Sequence, residues 1–309
     1  MSFSISSDAP NVEHYHYGEQ SALQDVYVYR ARPRLDKEFE TGYWIVYIHG
    51  GAWRDPEILA PTFNTTRQLI CGGDPSIASE IVAFASINYR LTRHPNFPQD
   101  PMSIDPKQYR NAKHPDHLND VINALAFLQA KYSFGERYVL VGHSCGATLA
   151  FQTVMQRIAG AAAAENKISQ PLAIVGVSGI YDLRLLRDTH EHPAYQQFIE
   201  EAFGDDEEKW DDVSPARVRS GGVLEGWCTG RLAVLASSKG DELVDPLQLK
   251  VMANLLEQWK HYNGQNPIRE VLIIDDLEES HDDIWKNGVE LAMVISKTIA
   301  TLKRLTVSN

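Results

Sequence analysis

The sequence predicts an α/β protein: an open, mostly parallel, doubly wound sheet carrying a small helical cap insertion. Three observations predict it. Short apolar runs bounded by turn residues recur along the chain, stretches with helical periodicity separate them, and one acidic helix-like stretch, 182–219, is longer than a simple crossover requires. Runs that are apolar throughout suit strands covered on both faces. Their alternation with helices implies parallel strands joined by crossovers. A chain of 309 residues, 43% hydrophobic and 23% charged, can bury a large core without staples, and one domain spanning 1–309 is expected.

In chain order, Asp25–Arg30 (DVYVYR) alternates with period two and reads as a half-exposed edge strand. Tyr43–Ile48, Ile81–Asn88, Arg137–Val141, Leu172–Val177, Leu232–Ala236 and Val271–Ile274 read as buried strands. A helix is expected over His117–Tyr132, where Leu118, Val121, Leu125 and Leu128 recur at spacings of three and four. Ala147–Ile158, Pro193–Phe203, Asp245–Trp259 and Asp282–Leu302 also read as helices, and Ala159–Ala164 as a small-residue helix end. Thr92–Pro115 breaks the rhythm: it holds five of the fifteen prolines and no periodicity. Loops longer than about 12–15 residues are usually functional or disordered. Trp210 and Trp227 are expected to pack in the core or cap, and the acidic 204–212 stretch to form a solvated face.

Charge and cysteine content exclude several classes. The formal charge is −12, and an acidic surface repels phosphate backbones. The densest basic stretch (Arg30, Arg32, Arg34, Lys37) is diluted by Asp36 and Glu38, so no nucleic-acid partner is expected. No segment approaches the roughly 18–20 apolar residues of a membrane span, and the N-terminal residues lack a signal-peptide pattern. Three cysteines, Cys71, Cys145 and Cys228, form no CxxC pair, which argues against a disulfide framework or zinc ribbon and for a reduced, cytoplasmic setting. His14-Tyr15-His16 and His190-Glu191-His192 lack a partnering carboxylate cluster and read as solvated or capping residues. No metal and no cofactor are expected.

The strongest chemical signal is Gly142-His143-Ser144-Cys145-Gly146, between the strand ending YVLV and a helix rich in small residues. A GxSxG in that context places its serine on a sharp strand-to-helix turn, exposed to substrate, with a helix N-terminus behind it that favours developing negative charge. The base and acid should follow in the order acid, then histidine. Only His281, of eleven histidines, lies between the last strand and the last helix. The acid candidate is Asp241 in SSKGDELVD; Asp245, which reads as a helix cap, and Glu242, whose side chain should point elsewhere, are the runners-up. His49-Gly50-Gly51-Ala52-Trp53 follows the strand YWIVYI. Gly50 and Gly51 there, with the amide of Cys145, are candidates for an oxyanion hole. Cys145 itself reads as an amide donor with a small packed side chain, and His143 as a structural polar residue.

HGGAWRDPE, INYRL, GHSCGAT, SGIYDL, GDELV and SHDDIWKNG together resemble the kynurenine formamidase (arylformamidase) family of α/β-hydrolases in its fungal form, over roughly Tyr43 to Leu302. The most specific element is the HGGxW box. The resemblance implies hydrolysis of N-formyl-L-kynurenine to L-kynurenine and formate, in tryptophan catabolism toward NAD. It implies Ser144 as nucleophile, Asp241 and His281 as its partners, His49–Trp53 as the oxyanion-hole motif, and a homodimer as the assembly. Trp53 is expected either to wall the pocket or to pack its loop on the sheet. The long 92–115 loop departs from the family pattern and puts substrate preference in question. A carboxylesterase of aryl or short-chain esters is the first alternative, and a non-catalytic hydrolase-fold binding protein the second.

Overall fold

The computed structural model describes residues 12–30, 42–158, 165–166, 168–262 and 268–307. The basic positions Arg32, Arg34 and Lys37 and the 159–164 alanine run lie outside them. Eight strands form one sheet in the order β1-β2-β4-β3-β5-β6-β7-β8. They are β1 (Val12–His16), β2 (Asp25–Arg30), β3 (Tyr43–Ile48), β4 (Ile81–Ile87), β5 (Tyr138–His143), β6 (Ala173–Val177), β7 (Leu232–Ser238) and β8 (Glu270–Leu277). β1–β2 and β2–β4 pair antiparallel, and every other pair is parallel.

The pleat explains why the central strands are apolar throughout. Successive side chains point to opposite faces, so β3 sends Trp44, Val46 and Ile48 into one buried layer and Tyr43, Ile45 and Tyr47 into the other. The first layer is closed by helices Asp116–Tyr132, Cys145–Gln152 and Pro246–His261, and the second by Asn64–Gly72 and Val289–Val307.

Three expectations need correction. β2 is no edge: β1 covers it, and four of its six residues are buried. The edges are β1 and β8, and Val271–Ile274, expected as a buried strand, lies in β8, where only Ile274 and Leu277 are buried. β1 itself (VEHYH) is polar and half exposed, so no apolar run marks it. His14 pairs with Asp25 at 2.5 Å and stacks on Tyr27 at 4.3 Å; His14 and His16 stand on exposed positions of this strand, in keeping with their reading as solvated residues. The Asp282–Leu302 helix is two helices, Asp283–Asn287 and Val289–Val307, divided at Gly288 with φ +71°. A periodic apolar pattern conceals such a break, because glycine interrupts the backbone path without disturbing the apolar spacing.

The 182–219 stretch supplies helices Leu183–Thr189, Ala194–Phe203 and Glu207–Val213. The acidic run is a solvated face, as expected, and is also cross-linked: Arg184 meets Glu207 and Asp211, Arg187 meets Glu207, Arg217 meets Asp211, and Arg157 meets Asp212. Trp210 and Trp227 are fully buried, as expected of packing residues. The 92–115 loop is tied down by backbone bonds from Thr92 to Trp53, Ala112 to Leu91 and His114 to Ala202. Among the described residues, no helix is long and apolar enough to cross a membrane.

Candidate active site

Parallel strands carry their chemistry at their C-terminal ends. The loops after β3, β5, β7 and β8 there hold His49, Ser144, Asp241 and His281 respectively. Ser144 sits at φ 54°, ψ −126° between β5 and the helix Cys145–Gln152. A non-glycine residue held in that region typically costs on the order of 1–3 kcal/mol, so the surroundings must over-determine it. They do. A Cβ on Gly142 would lie 2.3 Å from the Gly146 carbonyl oxygen, and one on Gly146 would lie 2.3 Å from that of Ile48. Both glycines of the pentapeptide are therefore demanded by backbone contact. The Ser144 amide donates to the Val177 carbonyl at 2.9 Å, which anchors the turn to β6.

His281 and Asp241 form a direct pair. His281 Nδ1 lies 3.0 and 2.9 Å from the two carboxylate oxygens of Asp241. Oδ1 also accepts the amides of Leu243 and Val244, each at 2.9 Å. Burial alone would raise the Asp241 pKa, but the hydrogen bond and charge of His281, with smaller contributions from Ser178 and Val244, outweigh it and leave the carboxyl below its ordinary value. The runner-up acids are engaged elsewhere. Glu242 accepts the His281 amide at 3.2 Å, and Asp245 caps the helix Pro246–His261 through the Leu247 amide.

The loop after β3 approaches the serine closely: a Cβ on Gly50 would lie 3.1 Å from Ser144 Cβ. Gly51, Ala52 and Trp53 follow with φ of 90°, 47° and 59°. What holds this strained turn is a clamp that the sequence does not announce. Tyr89, just beyond β4, donates its hydroxyl to the His49 and Gly50 carbonyls (3.1 and 3.2 Å) and lies 3.6 Å from Cys145 Sγ. Cys145 Sγ in turn accepts the Trp53 amide at 3.3 Å. Burial lifts the Cys145 thiol to about 11, so it stays protonated near neutral pH and is a packing and hydrogen-bonding group. His49 stacks on Tyr89 at 4.4 Å and donates Nδ1–H to the Gly50 carbonyl. Burial lowers its pKa to about 4.

Ser144, His143 and His281 open onto a cavity of about 610 Å³, within the size range typical of small-molecule sites. His143 packs beside His281 with ring centres 4.6 Å apart, and burial, then the neighbouring His281 charge, lowers its pKa to about 3. The cavity's aromatic surface is Tyr195 and Phe198 from the cap and Trp285 beyond His281. His49, of the oxyanion-hole motif, and Trp53, expected either to wall the pocket or to pack its loop, do not line it. Trp53 is fully buried and packs edge-on against Phe203 at 5.0 Å, joining the strained loop to the cap; Ala52 and Gly51 face the cavity. His190 and His192 line the cap side, His190 stacked on Tyr195 at 4.1 Å, and Tyr195 donates to the Leu243 carbonyl at 2.8 Å. These cap residues were missed because no pattern along the chain relates them to Ser144.

A serine on a strand-to-helix elbow, facing a histidine–aspartate pair across a cap-covered cavity on this sheet, defines the class as an α/β-hydrolase. Solved structures of the same fold include esterase B of Lactobacillus rhamnosis (TM-score 0.66, 17% identity, 97% of this chain and 88% of that one). The hyperthermophilic esterase of Pyrobaculum calidifontis is another (TM-score 0.60, 17% identity, 92% and 82%). Residues 35–218 match the BD-FAE family. A kynurenine formamidase-like hydrolase of Fusarium equiseti, fscH, is 44% identical over 86% of each chain. The kynurenine formamidase avaC of Aspergillus versicolor is 40% identical over 79% of this chain and 84% of its own. A kynurenine formamidase of Meyerozyma guilliermondii is 34% identical over 69% and 71%. The chain belongs to the kynurenine formamidase family.

Proposed function

We propose that this protein is a serine hydrolase that cleaves the formamide of N-formyl-L-kynurenine to L-kynurenine and formate, a step of tryptophan catabolism toward NAD. The observation that carries the reading is the convergence of Ser144, the His281–Asp241 pair and the Gly50–Gly51 loop on one side of a cavity whose other side is aromatic. The named formamidase relatives support the substrate. In this reading the chain works as one catalytic domain, with 182–219 as its cap. The setting is cytoplasmic, in keeping with three free cysteines.

His281, oriented by Asp241, takes the proton of Ser144 as its oxygen attacks the formyl carbon. The resulting oxyanion is held by amides of Gly50, Gly51 and Cys145, donors of which each is typically worth about 3–4 kcal/mol. The C–N bond then breaks, and His281 gives its proton to the departing aniline nitrogen. Water, deprotonated by His281, attacks the formyl-serine; formate leaves and Ser144 regains its proton. The nitrogen lone pair is shared with the ring, which makes an aryl formamide a comparatively reactive amide. Formyl is the smallest acyl group, so little room is needed beside Ser144, while Tyr195, Phe198 and Trp285 receive the ring.

A carboxylesterase would use the same residues, and the structural neighbours are named esterases. Comparing kcat/KM on N-formyl-L-kynurenine and on a p-nitrophenyl ester separates the two. The formamide is expected to win, and a large preference for the ester would overturn the reading.

A further inference from the structure

The site as described explains how a formyl group is cleaved and where an aryl ring rests. It leaves unassigned the rest of a substrate that carries an amino acid. Four formally charged side chains line the cavity: Arg54, Asp55, Glu242 and Asp282. Two are committed to the His281 loop. Glu242 accepts the His281 amide, and Asp282 is held by Lys286 at 3.0 Å and Trp285 Nε1 at 3.2 Å. Arg54 and Asp55 remain, directly after the HGGAW turn, both with amides bonded to the Gly51 carbonyl at 2.9 Å.

Arg54 is built as a site. Its Nη1 donates to Glu201 at 3.1 Å, its guanidinium carbon lies 5.5 Å above the Phe198 ring, and its side chain is only 10% exposed. A guanidinium offers five donors in a planar fork suited to a carboxylate, and the Glu201 contact occupies one side of it. Glu201 and Phe198 hold the fork in one orientation, so little entropy remains to be lost on binding. Beside it in the cavity wall stands His94, from the proline-rich loop. The Asn96 amide donates to His94 Nδ1 at 3.1 Å, which puts the proton of the neutral imidazole on Nε2, a donor. Burial, then the Arg54 charge, lowers the His94 pKa, so that donor stays neutral near pH 7.

We propose that Arg54, assisted by His94 Nε2–H, binds the α-carboxylate of the substrate's amino-acid substituent, with Asp55 facing its α-ammonium. The selected substrates are then aryl formamides that bear an α-amino acid, and the 92–115 loop contributes to selectivity through His94. The inference rests on the formamidase reading and deepens it. The competing explanation of Arg54 is a strut between the oxyanion loop and the cap, which would affect all substrates alike.

The experiment compares kcat/KM on N-formyl-L-kynurenine, its methyl ester, and 2′-formamidoacetophenone, which keeps the ring, ketone and formamide but lacks the amino acid. Wild-type protein should prefer the free acid over both. In Arg54→Gln the ratio of kcat/KM for N-formyl-L-kynurenine over 2′-formamidoacetophenone should fall about 10–100-fold, as expected for one charge-assisted contact, carried mainly by KM. Arg54→Lys should retain part of the ratio, and His94→Ala should lower it by less than Arg54→Gln. An equal loss on both substrates, or an unchanged ratio, overturns the inference. Wild-type turnover of both formamides without preference defeats the inference alone. Turnover of p-nitrophenyl acetate but of neither formamide defeats the formamidase reading and the inference with it.

Discussion

The floor and the cap of the cavity are made in opposite ways. The floor is backbone: the Ser144 elbow and the Gly50–Trp53 turn are pressed together at distances that exclude a methyl group, and they are clamped by Tyr89 and Cys145 without any exposed charge. The cap is side chains: helices 183–213 are tied to one another by arginine–carboxylate pairs at the surface and meet the floor through Trp53 and Tyr195. A floor of this kind tolerates almost no substitution, whereas a cap joined by exposed pairs, each worth about 0–1 kcal/mol, can change its lining without unfolding. In the proposed reading the chemistry belongs to the rigid half, and the cap supplies the side of the cavity whose lining can vary.

The largest expected break lies in the floor. Ser144→Ala should lower kcat by up to about 10⁶. Asp241→Asn should cost less, about 10⁴, because the serine–histidine pair survives. Steady-state kinetics on purified protein checks both, and surviving activity in Ser144→Ala would refute the assignment of the nucleophile.

Acid should act on the buried interior rather than on the exposed cap pairs. His49, His117 and His143 are buried and His114 is half-buried; their pKa values are lowered to about 4, 3, 3 and 4, in each case by burial first. Below about pH 6.5 the unfolded chain takes up protons that these folded residues refuse. Stability is thus full above about 6.5 and falls as pH drops toward 4, by several kcal/mol in total at about 1.4 kcal/mol per pKa unit. Denaturant unfolding from pH 7 to pH 4.5 measures this; a midpoint independent of pH would contradict it.

Smaller effects sharpen the contrast. Tyr89→Phe removes the hydroxyl that clamps the His49 and Gly50 carbonyls. A hydrogen bond of about 1–1.5 kcal/mol corresponds to roughly a tenfold fall in kcat, with KM little altered. Arg184→Ala, which severs two cap pairs, to Glu207 and Asp211, should cost no more than about 2 kcal/mol, a Tm shift of up to about 3 °C for a chain of this length. A larger shift on thermal melting would mean that the cap is as tightly built as the floor.

The legible part of this protein is the part governed by local rules. Five buried strands, β3 to β7, the elbow between β5 and its helix, and the order serine, aspartate, histidine can all be read along the chain, because covered strands must be apolar and a strained turn must have small neighbours. β1 could not be read, since its polar residues gain their place only by pairing with β2. The break at Gly288 was hidden inside an intact helical period. Tyr89 stands in the INYRL strand end, but nothing local gave it a role: it lies forty residues from His49, and only the parallel pairing of β3 with β4 brings it under the HGG turn.

By itself, the sequence pointed to the fold class, to Ser144 and the Asp241–His281 pair at the cavity, and to the family, because each rests on residue types that the local backbone demands. Tertiary structure alone decided which residues line that cavity. Trp53, attractive in sequence as a wall, turned inward to bind floor to cap, while Tyr195, Phe198, Trp285 and Arg54 came to face the space beside Ser144. The physical reason is that a pocket is bounded by segments far apart in the chain, and what a side chain faces depends on which helices pack over the sheet.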